Sequence, residues 1–226
     1  TNPKVVRQYQ GAPRMTYFVT GATGFIGRYL VQSLLQKGKG TVYVLVRPKS
    51  IGKLDELREF WGADSRKRVV PVKGDLGLPK LGVGKADVAK LKGKIKHFYH
   101  LGAVYDLEAS AEAMAKANIT GTKGALDFAE AVNAGCFHLV SSIAAAGLYR
   151  GTFTEDMFEE AEELDHPYHS TKHDSEAMVR ANGRMPFRVY RPGVVLGHSQ
   201  TGFIDKIDGP YYFFKALQRL RESWPR

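Results

Sequence analysis

Three side chains in the second half of the chain have the types and spacing of a proton-donating catalytic group. Tyr168 and Lys172 are four positions apart in the stretch PYHSTK, so they share one face if this stretch is helical. The lysine ammonium can then lower the pKa of the tyrosine hydroxyl. Ser142 lies 26 positions before Tyr168, at the end of a predicted strand, and offers a second hydroxyl. Two such donors can stabilise the oxygen that becomes negative when a hydride adds to a carbonyl.

The pattern Y-x-x-x-K occurs twice, since Tyr211 and Lys215 repeat it. Position in the chain distinguishes the two copies. Tyr168 follows a proline, begins a predicted helix and precedes another strand, whereas Tyr211 lies beyond the last predicted strand. The sequence therefore favours Tyr168. The alternative is that Tyr168 and Lys172 are ordinary surface residues of an amphipathic helix.

A cofactor site is predicted from the stretch 15–35, MTYFVTGATGFIGRYLVQSLL. A short apolar strand precedes Gly21, Gly24 and Gly27, and an amphipathic pattern follows from Phe25. In a strand–turn–helix unit of this kind, glycines permit the tight turn, the approach of a pyrophosphate and close packing of the helix. The amide groups of the helix N-terminus then face the anion. A glycine-rich turn that merely reverses the chain is the alternative.

The end of the second predicted strand, TVYVLVR, indicates which nicotinamide cofactor binds. An acidic residue there accepts the 2′-hydroxyl of NAD, whereas a basic residue accommodates the 2′-phosphate of NADP. This strand ends in Arg47 with no Asp or Glu nearby, which predicts NADPH. Arg28 and Lys53 are further candidate phosphate contacts. A solvated surface arginine is the alternative interpretation of Arg47.

Two further strand ends carry candidate cofactor contacts. Asp75 follows the third predicted strand and could accept a hydrogen bond from the adenine amino group, or simply cap a turn. Gly102 and Ala103 follow the fourth predicted strand and would lie under the nicotinamide ribose. Ligands in open α/β sheets bind at these carboxyl ends of the strands.

Strands and helices alternate along the chain, which predicts an α/β fold with a doubly wound parallel sheet, the NAD(P)-binding Rossmann fold. Residues 1–14 are expected to be a linker or tail, residues 15–196 the NADP-binding domain, and residues 197–226 the start of a substrate-binding lobe. Pro71 predicts an irregular third strand. The remaining predicted elements are strands at 17–19, 41–47, 68–73, 97–101, 137–142 and 187–190 and helices at 25–36, 51–61, 109–132, 169–182 and 210–222.

Composition excludes several other classes of protein. The net charge of +10 invites a nucleic-acid hypothesis, but the basic residues are scattered and no recognition motif is present, so no nucleic-acid partner is expected. A phosphorylated small molecule or an anionic membrane suits the charge equally well. The single cysteine, Cys136, is expected to be a buried structural thiol in a reducing, cytoplasmic setting. The seven histidines show no convincing metal spacing, so no metal site is predicted.

The motifs taken together resemble the extended short-chain dehydrogenases/reductases. More narrowly, they resemble the bacterial fatty acyl-CoA reductases, including the alcohol-forming ones. The stretches that carry the resemblance are GATGFIG, GDL, ANITGT, FHLVSSIAAAGLYRG, EDMFEEAEELDHPYHSTKHDSE and YRPGVVLGHSQTGFIDKIDGPYYFFK. The resemblance implies NADPH-dependent reduction of a long-chain acyl thioester, such as acyl-CoA, to an aldehyde or onward to a primary fatty alcohol.

The resemblance also implies roles for individual residues. Tyr168 would protonate the oxyanion, Lys172 would bind the nicotinamide ribose, Ser142 would orient the carbonyl, and Asn118 would brace the helix behind the site. Cofactor contacts are implied for Gly21, Thr23, Gly24, Phe25, Ile26 and Gly27 on the pyrophosphate, Arg47 and Lys53 on the 2′-phosphate, Asp75 and Leu76 on adenine, Gly102 and Ala103 on the ribose, and Pro192, Gly193 and Val195 on the nicotinamide face.

Relatives of this type are longer, which implies a truncated C-terminal substrate lobe. Three alternatives stay open from the sequence alone. They are a reductase of carrier-protein thioesters, a nucleotide-sugar epimerase or dehydratase of the same fold, and a non-enzymatic NADP-binding sensor. The sequence does not decide the oligomeric state or whether the protein makes peripheral contact with a membrane.

Overall fold

The computed structural model describes residues 15–103, 112, 115–204 and 210–223. Strand and helix alternate through most of this range, as predicted. The strands are β1 (Tyr17–Thr20), β2 (Val42–Val46), β3 (Val69–Lys73), β4 (His97–His100), β5 (Phe137–Val140) and β6 (Phe187–Tyr190). The helices are α1 (Phe25–Lys37), α2 (Lys53–Trp61), α3 (Ser65–Arg68), α4 (Lys85–Leu91), α5 (Gly121–Ala131), α6 (Pro167–Asn182) and α7 (Pro210–Ser223). Short 3-10 turns span Pro48–Ser50, Pro79–Gly82 and Ile143–Ala146, and a π-helical turn spans Lys116–Thr120.

All described strand pairs are parallel, in the order β3-β2-β1-β4-β5-β6. The chain first moves outward from β1 to β3 and then crosses back to β4 on the other side of β1. This reversal opens a crevice between β1 and β4, which is where ligands bind in such sheets. The predicted doubly wound Rossmann fold is therefore confirmed.

The two faces of the sheet belong to two separate cores, because successive strand residues point to opposite faces. On one face Phe18, Phe98 and Phe137 stack in a row, with ring centroids 4.8 and 5.3 Å apart, and pack against residues of α5. On the other face Val19 and Val44 pack against α1 and α2. The apolar positions thus hold helices on both sides of the sheet, and the polar strand ends are left for the crevice.

The prediction that Pro71 makes the third strand irregular was wrong. Pro71 pairs in register with Val44, and β3 pairs with β2 over all five of its residues. The reason is position, since β3 is an edge strand of the described sheet. A missing N–H on the open side of an edge strand costs no ladder hydrogen bond.

Two helices start at residues other than those predicted. Helix α2 begins at Lys53 rather than Ile51. Helix α6 begins at Pro167 rather than His169, because the fixed φ of proline suits the first helical position. Of the predicted helix 109–132, the π-helical turn and α5 are described, and α5 ends at Ala131. Residues 104–111, 113 and 114 lie outside the described residues.

The described residues fall into two compact units, one ending at Gly193 and the other beginning at Val194. Within the second unit, the backbone amide of Gly197 donates to Tyr211 Oη at 2.6 Å. The tyrosine of the second Y-x-x-x-K copy thus binds its own unit's backbone. The functional division at 196/197 stays a prediction. No helix in the described part of the chain is long and apolar enough to cross a membrane.

Candidate active site

The glycine-rich turn between β1 and α1 is so closely packed that side chains cannot replace two of its glycines. Gly21 has φ +72°, and a Cβ there would lie 2.8 Å from the Gly102 amide nitrogen. A Cβ on Gly27 would lie 2.1 Å from the Gly21 carbonyl oxygen. The first glycine therefore permits the turn against β4, and the third lets α1 pack onto it, as the sequence predicted.

Helix α1 presents an uncapped N-terminus at this turn. Gly24 is its N-cap residue, and within the described residues no side chain caps the helix there. Thr23 and Phe25 are half-buried and Ile26 is 40% exposed, so the turn is open to solvent. A helix N-terminus without a carboxylate or hydroxyl cap is suited to bind an anion. The turn therefore fits a dinucleotide pyrophosphate.

The two basic residues predicted to bind a 2′-phosphate follow the carboxyl end of β2. Arg47 directly follows β2, is exposed, and accepts a hydrogen bond from the Ser50 amide on its own carbonyl, at 2.8 Å. Lys53 is exposed at the start of α2. Both side chains therefore remain open to a ligand at the end of β2.

Asp75 and Leu76 follow β3, and the structure gives each a local packing role. Asp75 Oδ1 accepts a hydrogen bond from the Gly77 amide at 2.9 Å, which is the turn cap that the sequence offered as an alternative. The Leu76 side chain fills the space beside Gly102, where an added Cβ would lie 2.4 Å from Leu76 Cδ1. A contact of Asp75 with adenine stays a prediction.

The end of β4 carries a buried histidine that the sequence analysis did not select. His100 Nδ1 lies 2.8 Å from Thr20 Oγ1 and its Nε2 lies 3.2 Å from Thr122 Oγ1. Thr20 Oγ1 in turn accepts a hydrogen bond from the Gly102 amide at 3.2 Å. Burial, with the charge of Lys172, lowers the pKa of His100 to about 3, so the ring is neutral. His100 thus ties β1, β4 and α5 together beneath Gly102 and the exposed Ala103.

Helix α6 places the candidate catalytic pair one turn apart and largely out of solvent. Tyr168 is 9% and Lys172 7% exposed, and Lys172 Nζ lies 5.9 Å from the centre of the Tyr168 ring. Pro167 occupies the first helical position, and His166 Nδ1 accepts a hydrogen bond from the Tyr168 amide at 3.1 Å. His166 is therefore a helix cap that fixes where the tyrosine begins the helix.

The Lys172 side chain reaches β5, the strand that precedes Ser142. Lys172 Nζ donates to the Val140 carbonyl at 3.4 Å, two residues before Ser142. Burial lowers the pKa of the Lys172 ammonium to about 8. A pKa near 8 leaves the amine mostly protonated at neutral pH, so Lys172 still carries its positive charge there.

Ser142 begins the 3-10 turn that packs against α6. Its Oγ accepts a hydrogen bond from the Ala144 amide at 3.1 Å, which leaves the hydroxyl hydrogen to be donated elsewhere. His173 Nδ1 lies 3.0 Å from the Ala145 carbonyl oxygen, so it donates to that carbonyl and joins α6 to the turn. The Ile143 amide donates to the Pro192 carbonyl at 3.1 Å, and Gly193 lies beside Ile143. Val195 belongs to the other compact unit.

Asn118 braces α6 from behind, in the place expected from the resemblance. It lies on the π-helical turn, is 2% exposed, and donates through Nδ2 to Thr171 Oγ1 at 3.1 Å. Thr171 Oγ1 donates to the Tyr168 carbonyl at 3.2 Å, and Ser175 Oγ lies 3.0 Å from the Asn118 carbonyl oxygen. The two helical segments are therefore joined by hydrogen bonds directly behind the tyrosine–lysine pair.

A small cavity lies where these elements meet. It is lined by His100, Gly102, Ala103, Asn118, Ser141 and Lys172, among others. Ser141 Oγ is buried there and has no hydrogen-bond partner within the described part of the chain. Neither Ser141 nor His100 was predicted as a site residue from the sequence, although polar residues at the carboxyl ends of central strands are a usable signal.

The chain can be assigned to a family at this point. The sequence profile of the NAD-binding male sterility protein family matches residues 19–224. The chain belongs to the male sterility protein family. It has the NAD(P)-binding Rossmann fold of the extended short-chain dehydrogenases/reductases.

Two relatives show the range of proteins that contain this family's domain. The chain is 32% identical over 217 residues to a subunit of linear gramicidin synthase from Brevibacillus parabrevis, covering 88% of this chain and 4% of that protein. It is 27% identical over 243 residues to CG8303 of Drosophila melanogaster, named as a candidate fatty acyl-CoA reductase, covering 88% of this chain and 45% of that protein. The chain thus spans less than half the length of both male sterility family relatives.

Two solved structures share the fold. The terminal R domain from the myxalamid PKS-NRPS biosynthetic pathway has a TM-score of 0.81 and 30% identity, covering 92% of this chain and 57% of that one. UDP-glucuronic acid 4-epimerase from Bacillus cereus, in complex with NAD, has a TM-score of 0.62 and 25% identity, covering 82% of this chain and 59% of that one. This male sterility family member thus shares its fold with a reductase domain and with a sugar-nucleotide epimerase, and it spans less than two thirds of each.

Proposed function

We propose that this chain is the cofactor-binding and catalytic part of an NADPH-dependent reductase of long-chain acyl thioesters, which releases a fatty aldehyde or, after a second reduction, a primary fatty alcohol. One observation carries the proposal. Tyr168 and Lys172 are buried one helical turn apart, and the Lys172 ammonium donates a hydrogen bond to the carbonyl of Val140, two residues before Ser142. In this proposal residues 15–196 form the NADP-binding domain and residues 197–226 begin the substrate lobe.

The proposed chemistry divides the work between cofactor and chain. The glycine turn would hold NADPH, which when bound would supply the hydride that the thioester carbonyl carbon accepts. Tyr168 Oη and Ser142 Oγ donate hydrogen bonds to the carbonyl oxygen, and Tyr168 gives it a proton as it becomes an alkoxide. The positive charge of Lys172 favours loss of that proton. The new hydroxyl then returns its proton to the Tyr168 phenolate as the carbon–sulfur bond breaks, the thiolate leaves and takes up a proton from solvent, and an aldehyde remains.

The thiol part of the substrate is proposed as a phosphopantetheine thioester, the group shared by acyl-CoA and acyl-carrier proteins. Similarity to a gramicidin synthase subunit and to a terminal R domain favours the carrier-protein form. Similarity to the Drosophila protein favours acyl-CoA. The similarity to the epimerase supports the shared fold, and Arg47 in place of an acidic residue argues against the NAD that such enzymes hold.

The proposal is tested by following NADPH oxidation by the full-length protein with two substrates, palmitoyl-CoA and a palmitoylated carrier protein. NADPH consumption with hexadecanal or hexadecanol as product is expected for at least one of them. The better kcat/KM identifies which thioester source the enzyme prefers. Binding of NADPH without consumption of either substrate would contradict thioester reduction and point to a sugar nucleotide or to a sensor.

Arg47 is expected to set the choice between NADPH and NADH. Replacing Arg47 with alanine removes the charge proposed to bind the 2′-phosphate, and one charge-assisted hydrogen bond corresponds to about a tenfold change or more in KM. The KM for NADPH should rise by that factor while the KM for NADH stays unchanged. Lys49→Ala, an exposed basic residue two positions away, is the matched control. Equal rises in the KM for NADPH in both variants would mean that Arg47 contributes only to the overall positive charge around the site, and makes no specific contact with the 2′-phosphate.

A further inference from the structure

Three metal-ligating side chains meet on one face of the sheet, away from the candidate active site. His97 begins β4, Cys136 directly precedes β5, and His138 is the second residue of β5. Phe98 pairs with Phe137 in the β4–β5 register, so His97 and Cys136 lie side by side on adjacent strands. His138 lies two positions beyond Cys136 and therefore points to the same face. The register thus gathers residues that are far apart in sequence.

The geometry of this cluster is close to that of a metal site. One potential ligand atom from each of the three residues lies within 4.8 Å of the other two. His97 Nδ1 and His138 Nε2 are 2.9 Å apart. Neighbouring rings restrict both imidazoles, since Tyr99 stacks on His138 at 4.3 Å between centroids and Tyr17 stacks on His97 at 6.0 Å. One nitrogen of each ring therefore already faces the other.

We propose that His97, Cys136 and His138 bind one Zn²⁺ ion. Two imidazoles and one thiolate are ligands that zinc prefers, and a water would complete the tetrahedron. Zinc bonds of about 2.0–2.1 Å to nitrogen and about 2.3 Å to sulfur imply separations of about 3.3 Å between nitrogens and about 3.6 Å between nitrogen and sulfur. The present spacing approaches these values, and a small side-chain movement completes the site.

The polar surroundings also match those of a metal-binding histidine. His138 Nδ1 lies 2.9 Å from Tyr190 Oη, so an Nδ1–H that donates to this oxygen leaves Nε2 for the metal. Such an outer hydrogen bond fixes the ring and its tautomer in many metal sites. Burial lowers the pKa of both His97 and His138, the latter to about 4.

Cys136, as a thiolate, would supply a negative charge that partly balances the charge of Zn²⁺. Burial raises the pKa of Cys136, so its sulfur is a thiol in the absence of metal. Binding Zn²⁺ breaks the S–H bond, forms the S–Zn bond and releases one proton to solvent, with no change in oxidation state. Cys136 is a half-buried free thiol rather than the fully buried one that the sequence predicted, which keeps the sulfur accessible to an ion.

One nearby charge opposes the ion. Arg188 pairs with His138 across β5 and β6, and its guanidinium further lowers the pKa of both histidines. A positive charge there weakens the binding of any cation, although Arg188 is exposed and therefore partly screened. Because the Arg188 charge opposes the ion, we expect its removal to tighten zinc binding.

The proposed site is independent of the proposed reductase function. His97 and His100 are the first and last residues of β4, about 10 Å apart along the strand. The zinc cluster is therefore at the amino ends of the strands, whereas the cofactor turn is at their carboxyl ends. A structural ion that holds β4 to β5 is the role that this position suits.

The test is a titration of the full-length protein with Zn²⁺ in competition with a chromophoric chelator, and a parallel titration with Co²⁺. We expect one ion bound per chain and a sulfur-to-cobalt charge-transfer band. Cys136→Ser and His138→Gln should each weaken binding at least about tenfold, and Arg188→Gln should tighten it. His198→Gln, a histidine of the other compact unit, should bind like the wild type.

Several outcomes would overturn the proposal. These are no bound ion, a cobalt complex without the sulfur band, unchanged affinity in Cys136→Ser, or equal loss in His198→Gln. The cobalt spectrum of the wild-type protein decides the question even if a ligand variant fails to fold. NADPH binding by Cys136→Ser provides the folding control, since the cofactor turn lies at the opposite end of the sheet.

Discussion

Replacement of Tyr168 by phenylalanine is expected to lower kcat by about two to four powers of ten while NADPH binding is retained. The substitution removes only the hydroxyl that donates a proton to the developing alkoxide, and general acid catalysis contributes about that factor. The ring remains packed at its 9% exposure, with Lys172 still beside it. The measurement is single-turnover NADPH oxidation, with NADPH affinity determined separately by fluorescence.

The chain offers a matched control for this experiment. Tyr211 occupies the same position in the second Y-x-x-x-K, and its hydroxyl accepts a hydrogen bond from the Gly197 amide. Tyr211→Phe therefore removes one hydroxyl and one backbone hydrogen bond without touching the proposed proton donor. Turnover should remain within a few-fold of the wild type. Normal turnover in Tyr168→Phe, or equal losses in both variants, would show that Tyr168 is not the proton donor.

Replacement of Glu176 by glutamine is expected to cost about 3–5 kcal/mol of the free energy of unfolding. The Glu176 side chain is fully buried in α6 and accepts hydrogen bonds from Arg191, after β6, and from Arg180. The same Arg191 guanidinium donates to the Thr154 and Met157 carbonyls, at 3.2 and 2.8 Å. Removal of the carboxylate charge leaves a largely buried guanidinium uncompensated and loosens the loop between Ser142 and Tyr168.

The effect is measured by urea unfolding of Glu176→Gln beside Asp127→Asn. Asp127 pairs with Lys123 on an exposed helix surface, so its loss should cost less than about 1 kcal/mol. Burial alone would raise the pKa of Glu176, but the two arginines outweigh burial and hold that pKa below its usual range. The wild type should therefore lose this stabilisation as pH falls through the lowered pKa, and the variant should not. Equal losses of unfolding free energy in the two variants would contradict the interpretation that the buried Glu176 carboxylate holds Arg191 in place.

The sequence predicted those parts of the fold that local patterns determine. The strand before Gly21, the helix after it and the order of the remaining strands follow from hydrophobic periodicity and glycine spacing. Position along the chain predicts that Tyr168, rather than Tyr211, is the proton donor. Pro71 misled because the sequence does not say whether a strand lies at the edge of a sheet.

Other features depend on pairings between distant segments and could not be predicted. His97 and His138 are 41 positions apart, and only the β4–β5 register brings them together. The spacing of Glu176 and Arg180 is typical of an ion pair on a helix surface. In the structure Arg191, which follows β6, also binds the Glu176 carboxylate. The proposed zinc ligands and the buried contact between Glu176 and Arg191 therefore become visible only in the assembled sheet.

The close approach of Gly21 to Gly102 has a consequence for folding kinetics. The turn after β1 takes its shape against the end of β4, and the pairing of these strands joins Tyr17 to His97, 80 positions later. Pairing across so long a loop is slow compared with local helix and turn formation. We therefore expect the pyrophosphate turn to be completed late, after β4 has docked. A nascent chain that contains only β1 to β3 would have the glycines but not the shape of the turn that depends on β4. Cofactor binding would therefore stabilise the last stage of folding and would not initiate it.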